Sequence, residues 1–216
     1  FLDTASIRNS VVSRAKHLGY TPQSVRGSKA YVDLTITPTD TPATIVIEKN
    51  TQFSSSVGGI SYLFGTSNSV TLNVNSNGVY TTANVELNQG IPLTHKYTAN
   101  TKSPDQQFLL PNSNTDTSTL TVQIQTSAED STTFTYAMAN DTTAVTATSN
   151  VYFLEESEDG KYEVLFGDNV IGRKPVTGNV ILLSSMVADA DNPNGAATFA
   201  PVSSVGGYSI VSVSTL

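Results

Sequence analysis

The residues of this chain with the clearest potential for metal chemistry lie in the segment Asp-Ala-Asp-Asn-Pro-Asn-Gly, residues 189–195. A calcium-binding loop places oxygen ligands at its first, third and fifth positions, glycine at the sixth and glutamate at the twelfth. Asp189 and Asp191 fit this spacing, but Pro193 and Asn194 occupy the fifth and sixth positions and no glutamate follows. The segment therefore favours a polar turn in which these side chains hydrogen-bond local backbone N–H groups.

Nucleophilic catalysis has little support in the sequence. The chain has no cysteine, so a thiolate nucleophile, a thiolate metal site and a disulfide are all excluded. Its two histidines, His17 and His95, are far apart in sequence, and no Gly-x-Ser-x-Gly motif accompanies the many serines. We therefore predict no catalytic residue, no metal ligand and no cofactor.

Glycoside hydrolysis is harder to judge, because the two carboxylates that it needs are close in space and not necessarily in sequence. The chain has no tryptophan to form a sugar platform, although Tyr62, Tyr80 and Tyr97 are available. The acidic run at residues 155–159 has the composition of a solvated hairpin tip. A polysaccharide-degrading enzyme thus remains a hypothesis.

One amphipathic helix is predicted near the start of the chain, in the sequence SIRNSVVSRAKHLGYTP at residues 6–22. Gly19 and Pro22 end it. Its apolar side chains share one face and are the predicted interaction residues: Ile7, Val11, Ala15 and Leu18. A helix of this length is marginal alone, and no other segment shows a helical period. Its stripe is therefore predicted to pack against another chain or against an upstream segment.

The rest of the chain alternates apolar and polar residues as β-strands do. Strands are predicted in ten regions: 30–38, around Ile45 and Ile47, 60–64, 69–75, 79–87, 118–127, 132–139, 150–157, 161–168 and 179–188. The last residues, SIVSVSTL, also alternate. We predict a mainly β fold, an antiparallel β-sandwich or barrel-like domain preceded by one short N-terminal helix.

The predicted organisation has four parts: the end of a helical assembly region (1–25), a first β subdomain (26–100), a loop or linker (101–119) and a second β subdomain (120–216). A single β domain over 26–216 is the alternative. Because the chain opens at Phe1 and ends in a strand-like pattern, it is expected to be a segment of a longer polypeptide. Glu158-Asp159-Gly160 predicts a tight hairpin with a type I′ turn.

Composition limits the classes of function. The net charge is −7 with scattered Lys and Arg, which argues against a basic groove for nucleic acid. No run of apolar residues is long enough to span a membrane. Charged residues make up only 13% of the chain and Ser and Thr are abundant, a profile typical of extracellular and virion β proteins.

Four segments, in order, resemble the baseplate wedge proteins of contractile-tailed bacteriophages, the group related to the baseplate J family. The first is the N-terminal helix with its GYTP exit. The second is IVIEKNTQF (45–53), with Glu-Lys-Asn where the family has Pro-x-Gly. The third and most specific is VYFLEESEDGKYEVLFGDNVIGRKPVTGNVIL (151–182), and the fourth is ADADNPNGA (188–196). Residues 54–150 show only a general strand pattern.

The resemblance implies a structural protein of the virion, located in the tail baseplate and assembled in the host cytoplasm. Its expected function is to scaffold wedge assembly around the tail hub and to help transmit the signal for sheath contraction. The implied partners are a second copy and other wedge proteins, and the N-terminal helix would end an intertwined helical bundle. The alternative is a host-receptor or carbohydrate-binding β-sandwich module of a surface or virion protein.

The helix stripe can be tested by substituting Val11. We expect Val11→Asp to prevent incorporation of the chain into particles, because an unpaired charge buried in an interface costs several kcal/mol. The β region should still unfold at the wild-type temperature, which circular dichroism would measure. Normal incorporation of the variant would contradict the prediction.

Overall fold

The computed structural model describes residues 10–12, 14, 23–75, 77–103, 106–139, 141–157 and 160–215. The predicted fold class is confirmed: the chain is mainly β, its antiparallel sheets form barrel-like shapes, and one short helix lies near the N-terminus, with residues 10–12 and 14 helical. None of the described helical residues belongs to a segment long and apolar enough to cross a membrane.

The described residues form fifteen strands. In chain order they are Lys29–Ile36 (β1), Thr44–Ile47 (β2), Gln52–Val57 (β3), Ile60–Thr66 (β4), Val70–Asn73 (β5), Tyr80–Gln89 (β6), Ile91–Thr98 (β7), Leu109–Leu110 (β8), Thr115–Gln125 (β9), Thr133–Met138 (β10), Val151–Glu156 (β11), Tyr162–Phe166 (β12), Val180–Val187 (β13), Ala200–Pro201 (β14) and Val211–Thr215 (β15). All ten predicted strand regions contain a strand. The alternating C-terminus forms β15, whereas β3, β7, β8 and β14 were not predicted.

The chain divides into two compact units, and the division differs from the predicted subdomains. One, here called the frame unit, consists of Arg26–Pro92 and Met186–Leu216. The other, here called the inserted unit, consists of Phe1–Val25 and Leu93–Ser185. The last thirty or so residues therefore return to the unit that contains β1. Alternation marks β15 as a strand but does not identify its partner, so the sequence could not predict this return.

The frame unit contains a six-stranded sheet in the order β14-β3-β4-β6-β1-β15 and a two-stranded sheet of β2 and β5. The central strand β1 pairs antiparallel with both β6 and β15. Its alternate residues Val32, Leu34 and Ile36 are fully buried, which agrees with the alternation of apolar and polar residues over 30–38. The same core contains the edge-to-face pair of Phe64 and Phe199, with ring centroids 5.0 Å apart.

A bulge interrupts the pairing of β1 with β6. The register shifts between Val32 and Leu34, and Asn84 on β6 has a φ of 59°. The Asp33 carboxylate accepts a hydrogen bond from the Asn84 backbone N–H at 2.8 Å. The side chain therefore satisfies a donor that the shifted ladder leaves free.

The inserted unit is built around a seven-stranded sheet in the order β7-β13-β9-β10-β11-β12-β8. Its buried residues include Leu110, Val122, Ile124, Tyr152, Tyr162, Val164, Ile181 and Leu183. Each fully buried aliphatic or aromatic side chain of this kind contributes about 1.5–3 kcal/mol to folding. The short strand β8 comes from the apolar Phe-Leu-Leu within the stretch predicted to be a loop, and it pairs with β12.

The predicted antiparallel pairing of residues 151–157 with 161–168 is confirmed, because β11 pairs with β12 in that sense. The predicted type I′ turn is wrong. Glu156 faces Tyr162, and the Ser157 N–H donates to the Lys161 carbonyl, which leaves three residues in the connection rather than two. Gly160 has a φ of 73°, the left-handed conformation that a three-residue hairpin requires at its last position. Asp159 lies outside the described residues.

A second correction concerns the acidic run at 155–159. Glu155 is exposed, but Glu156 is completely buried, so the run is not a uniformly solvated tip. Glu156 shares its face of β11 with Tyr152, which is also buried, because alternate residues of a strand point the same way. The sequence pattern could not distinguish this inward carboxylate from its outward neighbour.

The predicted turn at Asp189 is present, but its side-chain hydrogen bonds differ from the prediction. Gln89, which is buried, donates from Nε2 to Asp189 Oδ2 at 2.7 Å and accepts from the Asp189 N–H at 2.9 Å. Asn194 Oδ1 accepts from Ser28 Oγ at 2.6 Å. The donors to these side chains are therefore Gln89 at the end of β6 and Ser28 just before β1, instead of local backbone N–H groups. We call the reciprocal pair of Gln89 and Asp189 the amide–carboxylate clasp.

The clasp can be tested with a matched pair of substitutions. We expect Asp189→Ala to lower the free energy of unfolding by about 1–3 kcal/mol, because it leaves the buried Gln89 amide without its acceptor. Asp191→Ala, two residues away and exposed, is expected to change it by less than about 0.5 kcal/mol. Urea denaturation of both variants measures the difference. Equal effects would show that the clasp does not stabilise the frame unit.

Candidate interaction surface

The loop between β12 and β13 folds closely back on itself. Two of its three glycines approach each other so closely that a Cβ on Gly167 would lie 2.2 Å from the Gly172 carbonyl oxygen. Gly172 has a φ of 85°, and a Cβ there would lie 2.9 Å from Val151 Cγ2. Only glycine fits at either position without movement of the backbone.

Side-chain caps fix the first half of this loop. Asp168 Oδ1 accepts from the backbone N–H groups of Val170 and Ile171 at 2.9 and 3.0 Å. These hydrogen bonds, above all the one from the Ile171 N–H, hold the pKa of Asp168 below its usual range. Asn169, with a φ of 71°, accepts from the Lys174 N–H at 2.9 Å through its side chain. The loop is therefore an ordered turn structure whose polar groups are satisfied from within.

The second half is tied to the body of the inserted unit. The N–H groups of Gly172 and Arg173 donate to the carbonyls of Thr146 and Ser149 at 3.0 and 2.9 Å. The Asn179 side chain accepts from the Val176 N–H at 2.9 Å and donates to the Thr126 carbonyl at 2.8 Å. These bonds hold the loop at both ends of its second half.

Three apolar side chains of this rigid loop face solvent. Val170 is 70% exposed, Val176 60% and Ile171 45%, whereas Pro175 between them is buried. The exposed cations Arg173 and Lys174 lie in the same loop. Here these three apolar residues and two cations are called the loop surface. Apolar groups already held in place lose little conformational entropy on binding, which makes such a loop suited to docking.

Arg173 also contacts the sheet. Burial raises the pKa of the Tyr136 hydroxyl, and the nearby Arg173 guanidinium, which hydrogen-bonds the phenol, acts in the opposite direction. The Tyr136 ring packs edge-to-face on Phe166, with centroids 5.6 Å apart. The base of the loop surface is thus anchored to two aromatic residues of the core.

A cleft of about 240 Å³ opens beside the loop and is here called the Lys174 cleft. Phe108 and Phe166, edge-to-face at 5.5 Å, line its apolar side. Lys174, Asn100 and Gln106 are among its polar lining residues. Its described lining contains no carboxylate. The combination suits an apolar group that carries or adjoins a negative charge.

A second cleft of about 220 Å³ lies in the frame unit, next to the β1–β6 bulge. Glu86 is its carboxylate, and it accepts from Lys29 Nζ at 2.8 Å and from Ser67 Oγ at 3.0 Å. The Lys29 hydrogen bond is the main cause that lowers the pKa of Glu86. A carboxylate held ionised in this way is a poor proton acceptor, and the described residues that line the cleft supply no second carboxylate for acid–base work.

Of the predicted interaction residues, only Val11 falls among the described residues. It is half-buried, and its neighbour Val12 is buried. Ile7, Ala15 and Leu18 lie outside the described residues, so the helix stripe stays a prediction. Among the described residues, no group of three or more His, Cys, Asp or Glu side chains is placed to hold a metal ion.

The exposure of the loop surface was missed by sequence reasoning. The signal available was the placement of Val170, Ile171 and Val176 in a segment with no strand or helix period, between glycines and a proline. Apolar residues that follow no period have no predicted core to enter. A search against models of known protein families finds no match for the chain, and a search of curated proteins finds none either.

The rigidity of the loop gives a test within the loop itself. We expect Gly167→Ala to lower the free energy of unfolding by about 2 kcal/mol or more, because its Cβ would overlap a backbone carbonyl. Gly178→Ala adds a methyl group in open space at a φ of 96° and should show only a conformational cost of about 1 kcal/mol.

Hydrogen exchange should separate the two variants further. The amides of Val170 and Gly172 should lose protection in Gly167→Ala and keep it in Gly178→Ala. If both variants exchange alike, the close approach of the two glycines does not determine the loop conformation.

Proposed function

We propose that the chain is a structural component of a phage tail baseplate, part of a wedge protein that scaffolds wedge assembly around the tail hub and helps transmit the contraction signal. Its place is then the virion, and its partners are a second copy and other wedge proteins. This proposal rests on the four ordered sequence resemblances and on the loop surface.

The positions that carry the most specific resemblance have structural reasons to be constrained. The segment 151–182 forms β11, β12, the loop and the start of β13. It contains Gly167 and Gly172, which lie so close together that a Cβ on Gly167 would be 2.2 Å from the Gly172 carbonyl oxygen. The segment 188–196 contains the carboxylate of the amide–carboxylate clasp. Because these residues build backbone geometry, they support a scaffolding role.

The loop surface is the single observation that carries the proposal. A monomeric protein gains nothing from holding Val170, Ile171 and Val176 in water, since each forgoes the free energy of burial. The backbone bonds that fix the loop have a use if a neighbouring subunit covers these side chains. An assembly protein requires such preformed contact points.

The alternative is a host-receptor or carbohydrate-binding module, and the Lys174 cleft is the observation in its favour. Receptor binders concentrate exposed aromatic residues in loops at one end of a sandwich. Here the prominently exposed aromatics, Tyr31 and Phe134, lie on strands β1 and β10. Neither described cleft brings two carboxylates together, so the polysaccharide-degrading hypothesis receives no support from them.

The test is a complementation experiment in the phage. The gene for the chain is replaced by a variant gene that carries both Val170→Asp and Ile171→Asp. Both side chains are exposed, so the chain should fold normally. Completed tailed particles should fall by about tenfold or more, because charges at a packed contact cost over 1.4 kcal/mol. Electron microscopy counts the particles, and labelled antibody against the chain should mark the baseplate.

Ile60→Asp provides the matched control, since Ile60 is 59% exposed on β4 of the frame unit. It should leave particle numbers unchanged. If the double variant gives normal numbers of complete particles that fail to adsorb to cells, the binding-module alternative is correct. Normal particles with normal infectivity would reject the role of the loop surface altogether.

A further inference from the structure

Two Asn-Gly dipeptides occur in the chain, Asn77–Gly78 and Asn194–Gly195, and both lie in the frame unit. An asparagine followed by glycine can react with itself in water, because the glycine nitrogen meets no Cβ on its way to the asparagine side-chain carbon. Asparagine is for this reason among the thermolabile residues of proteins. The two dipeptides differ in what holds the reacting atoms.

At Asn194 the reacting groups are accessible. Asn194 and Gly195 are both exposed, and a Cβ built on Gly195 would meet nothing within 4 Å. Among the described residues, the Gly195 N–H has no hydrogen-bond acceptor, whereas its neighbour Ala196 donates to the Pro193 carbonyl at 3.2 Å. The nitrogen that would attack is therefore free of competing bonds in the part of the chain that the structure describes.

The side-chain carbonyl of Asn194 is also polarised. Its Oδ1 accepts a 2.6 Å hydrogen bond from Ser28 Oγ, a residue that precedes β1 and is half-buried. Attack on the amide carbon converts this oxygen into an oxyanion. A donor already in contact with that oxygen stabilises the charge as it develops, in the manner of an oxyanion hole.

At Asn77 the nitrogen is already engaged. The Gly78 N–H donates to the Asn75 carbonyl at 3.1 Å, and the Asn75 side chain accepts from the N–H groups of Asn77 and Val79 at 2.9 and 3.0 Å. These bonds must break before Gly78 nitrogen can attack. The turn at Asn77 thus protects its Asn-Gly dipeptide from this reaction, whereas the turn at Asn194 leaves its own dipeptide accessible.

We propose that Asn194–Gly195 is a self-modification site, at which the chain converts Asn194 to aspartate and isoaspartate with Ser28 as the catalytic hydrogen-bond donor. Hydroxide from the solvent removes the Gly195 amide proton, and the nitrogen attacks Asn194 Cγ. The Cγ–Nδ2 bond then breaks, and ammonia leaves with a proton from water. Hydrolysis of the resulting succinimide at either carbonyl adds one water molecule. The balance is loss of ammonia and gain of water, with no oxidant or reductant.

The product alters a specific contact. Both products carry a new carboxylate two residues beyond Asn192, in the turn that already contains Asp189 and Asp191. The isoaspartate also lengthens the backbone by one carbon, which changes the position of the group that Ser28 contacts. The surface of this turn therefore acquires charge with time, and the change is independent of the proposed baseplate role.

The experiment incubates the purified full chain in mildly alkaline buffer and follows both dipeptides by peptide mass spectrometry. Replacement of NH₂ by OH gives the mass change, and a protein isoaspartyl methyltransferase detects the isoaspartate. In the folded chain, Asn194 should react at least about fivefold faster than Asn77, the factor that one ordinary hydrogen bond on the nucleophile supplies. In urea the two rates should converge, because both turns are lost.

Variants of Ser28 test the catalytic donor. Ser28→Ala should slow the reaction at Asn194 by about tenfold or more, and Ser28→Thr, which keeps a hydroxyl, should retain most of the rate. The rate at Asn77 serves as the internal reference in each variant, and melting curves confirm folding. Equal rates at the two dipeptides in the folded chain would overturn the site, and an unchanged rate in Ser28→Ala would overturn the role of Ser28.

Discussion

The amide–carboxylate clasp joins the two chain segments of the frame unit. Gln89 ends β6 and is buried, and its amide exchanges two hydrogen bonds with Asp189, the first residue of the turn after β13. Gln89 lies near the end of the first segment and Asp189 near the start of the second. A neutral amide is well suited to this place, because it can donate and accept at once without the desolvation penalty of a buried ion pair.

Glycine has a comparable importance in the inserted unit. The approach of Gly167 to Gly172 allows the loop to fold back on itself, and the caps from Asp168 and Asn169 then satisfy the backbone groups that the fold leaves open. The exposed valine and isoleucine side chains are not needed to hold the loop in its conformation, because hydrogen bonds to its backbone do so. Local structure thus separates the residues that build the loop from those available to a partner.

Much of the fold follows from alternation, and the exceptions have physical causes. The alternation over residues 30–38 matches β1, whose one buried face carries Val32, Leu34 and Ile36. Strand β7 was missed because Pro92 interrupts its pattern and edge strands bury little on either side. The burial of Glu156 and the pairing of β1 with β15 depend on contacts between residues distant in sequence, which no local pattern reports.

The same limits apply to the candidate site. Residues 167–179 carry clear loop signals in the sequence, namely their glycines, their proline and their two asparagines. The outward direction of Val170 and Val176 becomes visible only when the backbone bonds to Thr146, Ser149 and Thr126 are known. Likewise, the two identical Asn-Gly dipeptides differ in their hydrogen bonds. Gly78 N–H donates to a backbone carbonyl, whereas Gly195 N–H has no acceptor among the described residues.

The pairing of β1 with β15 has a consequence for the order of events during synthesis. The ribosome makes β1 long before β15, so one side of β1 lacks its hydrogen-bonding neighbour until β15 has emerged. The strands of the inserted unit, at 91–187, are all complete before that point. High contact order of this kind slows folding and exposes an unpaired strand edge to other nascent chains. For the frame unit, the critical step is therefore the arrival of β15, which completes the pairing of a strand made much earlier.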